Sequence, residues 1–145
     1  MKLSTRTRYG VRAILELAEN YGKEPLQLKA IAEHQEISVK YLEQLMAVLK
    51  LTGIVRSVRG PNGGYVLAKS PNEIKISDCF NCLEGPVITT ECVGDSSFCT
   101  RSADCIAKRL WTDVQNTVMD LLHSITLQSL IDRAGVACPP KTVPL

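Results

Sequence analysis

Gly53-Ile54-Val55-Arg56-Ser57-Val58-Arg59-Gly60-Pro61-Asn62-Gly63-Gly64-Tyr65-Val66-Leu67-Ala68 is the stretch that decides the fold. Ile54 to Arg59 is rich in β-branched residues and predicts a strand; Tyr65 to Ala68 predicts a second. Between them Gly60-Pro61-Asn62-Gly63-Gly64 is a dense turn signal, so the strands form a hairpin. The turn joins two strands and opens no helix, which excludes a nucleotide phosphate loop.

Toward the N-terminus, Gly53 ends a helix predicted from a Ser38 cap to about Thr52, with Leu42, Leu45, Met46 and Leu49 on its apolar face. A shorter helix at about 27–35 turns Leu28, Ile31 and Ala32 inward, and Glu36-Ile37 makes a tight turn between the two. Helix, short turn and helix form a helix-turn-helix, and a hairpin directly after it is a wing. A polar-faced three-helix bundle is the alternative for the helices alone; the hairpin decides for a winged helix-turn-helix.

The second helix of such a pair enters a DNA major groove, and its first turns carry Ser38, Lys40, Tyr41, Glu43 and Gln44. Their hydroxyl, ammonium and amide groups reach phosphates and base edges. Gln pairs with adenine, while Glu43 repels phosphate but accepts from cytosine N4. At the wing tip, Arg59 and Gly60 bring a cation and bare backbone to a phosphate or a minor groove.

A first helix spans 4–21, capped by Ser4 or Thr5, with Val11, Ile14, Leu15, Ala18 and Tyr21 on one face. Lys2, Arg6, Arg8 and Arg12 crowd its start. Cations are unfavourable at the positive end of a helix dipole, so phosphate contact explains them better than stability does. Residues 1–70 hold eleven Lys/Arg against six Glu, and residues 71–145 hold six Lys/Arg against nine Asp/Glu. A basic first half and a mildly acidic second half suggest nucleic acid at one end only, a chance fluctuation in solvated charge being the alternative.

Toward the C-terminus, Ser70-Pro71-Asn72 marks a boundary and a short helix follows within 73–84. Cys79 and Cys82 stand in it as C-x2-C, which within a helix reads as small core residues rather than ligands. Gly85-Pro86 then opens a loop holding Cys92, Cys99 and Cys105, spaced C-x6-C-x5-C. Thiolates favour zinc, copper(I) and iron–sulfur clusters. Gaps of six and five are too open for a zinc knuckle but wrap a larger cluster, while redox-active thiols without metal are the further alternative.

From about 103 to 124 a long amphipathic helix carries Ile106, Leu110, Val114, Val118, Leu121 and, just beyond, Ile125. This near-heptad stripe predicts pairing with a second copy, packing wholly inside the monomer being the alternative, and Trp111 is expected to anchor the helix to the winged module. The expected organisation is a winged helix-turn-helix at 1–70 and a linker helix with cysteine loop at 71–102. A dimerisation helix with a short terminal helix follows at 103–134, then a tail at 135–145 with an idle Cys138. The fold class is mainly α with a small β-hairpin wing.

No apolar run approaches the roughly 18–20 residues of a membrane span, and the first residues lack the apolar core of a secretory signal. A cytoplasmic location is expected, where clustered thiols more often bind metal than form structural disulfides. No nucleophile–base constellation or hydrolase metal motif marks an enzyme.

Met1 to Val11, Tyr41-Leu42-Glu43-Gln44-Leu45, Arg59-Gly60-Pro61-Asn62-Gly63-Gly64-Tyr65, the three spaced cysteines, Leu110-Trp111 and Ile125-Thr126-Leu127 resemble the IscR-like iron–sulfur regulators of the Rrf-type winged-helix family. The resemblance implies a homodimer on palindromic operators that controls cluster-assembly or stress genes according to cluster state. It implies Cys92, Cys99 and Cys105 as ligands of a cluster, two-iron in preference to four-iron, and Ser38, Tyr41, Gln44, Arg59 and Gly60 at the DNA. Two positions depart from that pattern. Lys108 stands where IscR relatives place a fourth-ligand histidine, and the first cysteine gap is one residue longer. Nitric-oxide sensors of the family carry an acidic residue near position 8, here Arg8. The fourth ligand is left to Glu91, Asp95, Asp104, solvent or a small thiol. Competing functions are a redox-, nitric-oxide- or zinc-responsive regulator of the same fold and, from another class, a cluster carrier or electron-transfer protein.

Overall fold

The computed structural model describes residues 2–135. Three helices open the chain: α1 (Thr5–Glu19), α2 (Leu28–Gln35) and α3 (Val39–Leu51). Ser4 caps α1 by accepting from the Thr7 backbone N–H at 3.2 Å, and Ser38 caps α3 by accepting from the Tyr41 N–H at 3.2 Å. Each cap satisfies a backbone donor that the helix itself leaves unpaired. Between α2 and α3, Glu36 takes a left-handed φ of 54°, and the Ile37 N–H returns to Ala32 O at 3.0 Å. Ile37 is thereby buried, which fixes the angle of α3 to α2.

The hairpin pairs β1 (Val55–Val58) with β2 (Gly64–Leu67) antiparallel, in the register Val55↔Leu67 to Val58↔Gly64. Leu26 adds a third short edge: its N–H and carbonyl both pair with Tyr65, at 3.1 and 2.8 Å. These bonds hold the base of the wing to the loop ahead of α2.

The chain continues through α4 (Ile76–Leu83), a one-turn α5 (Glu91–Gly94), a 3-10 turn (Ser96–Phe98), the long α6 (Ile106–Ser124) and α7 (Leu127–Ala134). Ile74, Ile76, Cys79 and Leu83 are buried in the same core as Ile14, Leu17, Ile31, Leu42, Met46 and Leu49, so α4 is an integral layer of the winged module. The core also takes Leu127 of α7, which is fully buried. A main-chain bridge fastens this end: Ile76 N–H donates to Ile125 O at 2.8 Å, and Leu127 N–H to Ile74 O at 3.0 Å.

Two sequence expectations are corrected. On α1, Ile14 and Ala18 are buried and Val11 and Leu15 pack half-buried against the core as expected, but Tyr21 is exposed, and Thr7, Gly10, Ala13 and Leu17 complete the buried face. Because α1 packs against α2, α3, α4, β2 and α7, its contact face turns toward its small residues, where α4 comes closest. Trp111 does not anchor α6 to the winged module: it is 41% exposed and lies outside the core. That anchoring falls to Leu122 and Ile125 at the far end of the helix, which pack on the core. No residue of α6 is buried, and Ile106, Leu110, Val114 and Leu121 remain exposed with Trp111. Cys138 and the predicted tail from 136 onward lie outside the described residues. Among those described, no helix is long and apolar enough to cross a membrane.

Candidate nucleic-acid interface and cysteine loop

The apolar face of α3 is committed to the core through Leu42, Leu45, Met46 and Leu49, so the opposite face turns outward. Lys40, Glu43 and Gln44 are exposed there, together with Ser38 at the cap. Tyr41 is half-buried, its ring meeting Tyr9 of α1 edge to face with centroids 6.1 Å apart. Arg12 donates to the side chain of Gln35 at 2.9 Å and to its carbonyl at 2.7 Å, with its guanidinium 5.5 Å from the Tyr9 ring centroid. This arginine, grouped by sequence with the cations expected at phosphate, ties α1 to α2. Lys2, Arg6 and Arg8 remain exposed at the start of α1.

At the wing tip Arg59 and Gly60 are both exposed. Gly60 has φ 116°, a conformation that other residues adopt only with strain, and its carbonyl accepts from the Gly63 N–H at 3.0 Å. A Cβ on Gly63 would stand 2.2 Å from Val58 O. Glycine at these positions is what lets the hairpin close tightly enough to present Arg59 at its end.

The loop from Gly85 to Cys105 is thinly packed. Val87 is buried, while α5 and the 3-10 turn contribute no buried residue. Cys92, Cys99 and Cys105 are all free and half-buried; Cys92 lies 3.3 Å from Thr90 Oγ1, and Cys105 is the N-cap residue of α6 without a capping side-chain bond. Among the described residues no three His, Cys, Asp or Glu side chains converge as a metal site. Lys108 bonds to Ser96 Oγ at 3.2 Å and to Ser102 Oγ, bracketing Cys99 and drawing its segment onto the first turn of α6. Asp95 accepts from the Ser97 N–H at 2.9 Å and hydroxyl at 2.7 Å, and these bonds hold its carboxyl below the usual carboxylate range.

A winged helix-turn-helix of this architecture has counterparts among known proteins. The family model described as "Rrf2: Iron-dependent Transcriptional regulator" matches residues 3–133. The chain belongs to the Rrf2 family. Its relatives include the HTH-type transcriptional regulator IscR of Pectobacterium atrosepticum, 39% identical over 94% of this chain and 82% of that one. The solved structure of CymR, the global cysteine regulator of B. subtilis, superposes with a TM-score of 0.79 at 39% identity, covering 92% of this chain and 98% of that one. The T. potens IscR structure gives 0.77 at 36% identity, covering 100% of this chain and 94% of that one. The protein is therefore a DNA-binding transcriptional regulator, and its mainly helical fold with a two-stranded wing is that of its Rrf2 neighbours.

Within this Rrf2 chain neither histidine serves the loop. His34 of α2 pairs with Glu16 of α1 at 2.7 Å, and His123 hydrogen-bonds Lys75 at 2.7 Å and Ser77 at 3.3 Å where α6 ends. Glu91 and Asp104 are exposed within the loop, whereas Asp95 is already engaged in capping. Cys79 is fully buried, and desolvation pushes its thiol up to about 12, as a core residue requires. Sequence reasoning missed two residues. Tyr9 supports the recognition helix, and Glu84 accepts from Ser4 and Thr7 across the fold. Glu84 is separated from those partners by 80 and 77 residues, and no local pattern announces such a pairing.

Proposed function

We propose that the protein is a homodimeric regulator of palindromic operators whose DNA affinity is set by an iron–sulfur cluster on Cys92, Cys99 and Cys105. The observation that carries this reading is the loop itself: three free, solvent-accessible thiols on a thinly packed segment of a chain related to IscR. Soft thiolates suit such a cluster, which would cross-link three loop segments when bound. The donor set fits a site with three protein thiolates and one further ligand. Lys108 is occupied by Ser96 and Ser102, so Glu91, Asp104, solvent or a small thiol is left for the fourth position. A two-iron cluster is preferred to a four-iron one on the likeness to IscR alone, since both types take four ligands.

The second copy pairs along α6. Ile106, Leu110, Trp111, Val114 and Leu121 expose a stripe that the chain does not cover with its own described residues. A two-fold dimer of winged modules reads a two-fold operator, with Ser38, Lys40, Tyr41, Glu43 and Gln44 in each major groove and Arg59 and Gly60 at the flanking backbone.

A second reading has its own support. The three thiols do not converge among the described residues, and the structural neighbours include a global cysteine regulator. On that reading the same loop responds through thiol oxidation without metal. Anaerobic reconstitution with iron and sulfide, followed by optical and Mössbauer spectra and by operator titration, separates the two. Visible absorption lost in Cys92→Ala, with DNA affinity that follows cluster content, supports the cluster. A colourless protein whose DNA affinity follows only thiol oxidation supports the alternative.

A further inference from the structure

We infer that Glu84 is the positioning residue through which the cysteine loop sets the placement of the DNA-facing start of α1. One oxygen of its carboxylate, Oε2, accepts from the Ser4 backbone N–H at 3.3 Å, from the Ser4 hydroxyl at 2.5 Å and from the Thr7 hydroxyl. Thr7 is 2% exposed, and its hydroxyl donates to this carboxylate. Ser4 is the N-cap of α1, so Glu84 grips the group that organises the first turn.

The electrostatics explain why an acid from so far along the chain stands here. The first turn of α1 contains no acidic residue, and Arg6 and Arg8 add cations to the positive end of the helix dipole. Such an end is stabilised by an anion, and Glu84 supplies it from the C-terminus of α4. The hydrogen bonds from Ser4 and Thr7 hold its carboxyl below the ordinary value of 4.5.

Packing independently forces the same approach. A Cβ on Gly10 would lie 2.5 Å from Leu83 Cδ1 and 2.8 Å from Cδ2, so α1 and the end of α4 are in intimate contact one turn beyond Thr7. Leu83 fixes the spacing, and Glu84, the next residue, makes the polar tie. Gly85 follows at φ 89° and the cysteine loop begins. The residue that closes α4 therefore bridges the base of the loop and the turn that carries Arg6 and Arg8. Any reordering of the loop that pulls on Gly85 is delivered to those cations through one carboxylate.

The inference deepens the proposed loop-sensing function but needs only a change in the loop, not a metal. The test uses the full-length protein with Cys82 and Cys138 replaced by serine, and a maleimide adduct on the loop thiols as the probe. In this background the adduct should change amide hydrogen exchange at Thr5–Arg8 and shift operator affinity by about fivefold or more, the lower range of allosteric coupling. In Glu84→Ala both responses should vanish while the helical circular dichroism is retained, and Glu84→Gln, which keeps one acceptor oxygen, should restore part of them. A Glu84→Ala protein that transmits the adduct undiminished, or a parent whose Thr5–Arg8 amides ignore it, overturns the inference. Cluster loading, measured in parallel on the unlabelled protein, tests the metal reading separately. Absence of a cluster with intact adduct coupling would sink that reading and leave Glu84 in its role.

Discussion

Tyr9 of α1 stands edge to face against Tyr41 of the recognition helix, with ring planes at 84° and centroids 6.1 Å apart. An aromatic pair of this geometry contributes roughly 0.5–1.5 kcal/mol beyond the area it buries. Here it sets the side from which α3 is supported, and Arg12 extends that support to α2 through Gln35. Tyr9→Ala should therefore weaken operator binding by about three- to tenfold, since about 1.4 kcal/mol is tenfold in affinity. Tyr9→Phe keeps the ring pair and should bind as the parent does. Equal losses in both variants would show that the hydroxyl, not the packing, matters.

Gly10 faces Leu83 at a separation that leaves no room for a methyl group. Leu83 is 5% exposed, so its branches have little free space into which to swing. Gly10→Ala gains the usual helix preference of alanine but forces the α1–α4 contact apart, and overpacking of this kind costs about 1–3 kcal/mol. A lower urea midpoint at unchanged m-value is the expected result. A rise in the midpoint would mean that the contact relaxes without strain.

The thiols divide by environment. Cys79 is fully buried, and desolvation, helped by the neighbouring Cys82 and Asp78, pushes its thiol up to about 12. The thiolate is the nucleophile, so Cys79 should resist iodoacetamide in the native protein while Cys92, Cys99 and Cys105 are alkylated. The sign of the accompanying pH effect follows from linkage. The folded value lies above the ordinary 9.0, so the unfolded chain releases the proton first. The stabilising contribution is whole below 9.0 and is lost as pH rises toward 12. Peptide mapping of alkylated protein checks the first expectation, and urea midpoints across alkaline pH check the second.

The fold was legible because its signals are local. The Ser38 cap, the inward face of α3 and the Gly-Pro-Asn-Gly-Gly turn each specify a backbone shape within a few residues, and the structure carries all three. The α1 face was read incompletely, wrong at Tyr21 and missing Gly10, because periodicity finds the bulky residues, whereas α4 approaches α1 at Gly10, a residue that hydropathy counts as empty. Trp111 was misplaced for the opposite reason. A large aromatic predicts burial, but α6 buries nothing within the described chain and leaves its stripe outward. At the site, the exposure of Lys40, Glu43, Gln44 and Arg59 followed from the pattern of the core. The reach of Glu84 to Ser4 and the grip of Lys108 on Ser96 and Ser102 depend on chain paths that no sequence spacing encodes.

On the proposed DNA contacts Arg59 and Gln44 should fail in distinguishable ways, because one is assigned to phosphate and the other to bases. Arg59 stands exposed at the end of a hairpin whose turn is held by the bond from Gly63 to Gly60, and its charge is free to neutralise a phosphate. Each phosphate neutralised on duplex DNA releases condensed counterions and contributes about −0.9 to the slope of log K against log salt. Arg59→Ala should weaken binding to operator and random duplex alike and make that slope shallower by about one per protomer that contacts the backbone. Gln44 carries no charge and projects from the outer face of α3. Gln44→Ala should leave the slope unchanged, cost about 1–3 kcal/mol on the operator and little on random DNA. Fluorescence anisotropy titrations of both variants across a range of potassium chloride concentrations read the two quantities together. An unchanged slope in Arg59→Ala would remove Arg59 from the phosphate contacts, and a uniform loss on all sequences in Gln44→Ala would move Gln44 from the bases to the backbone.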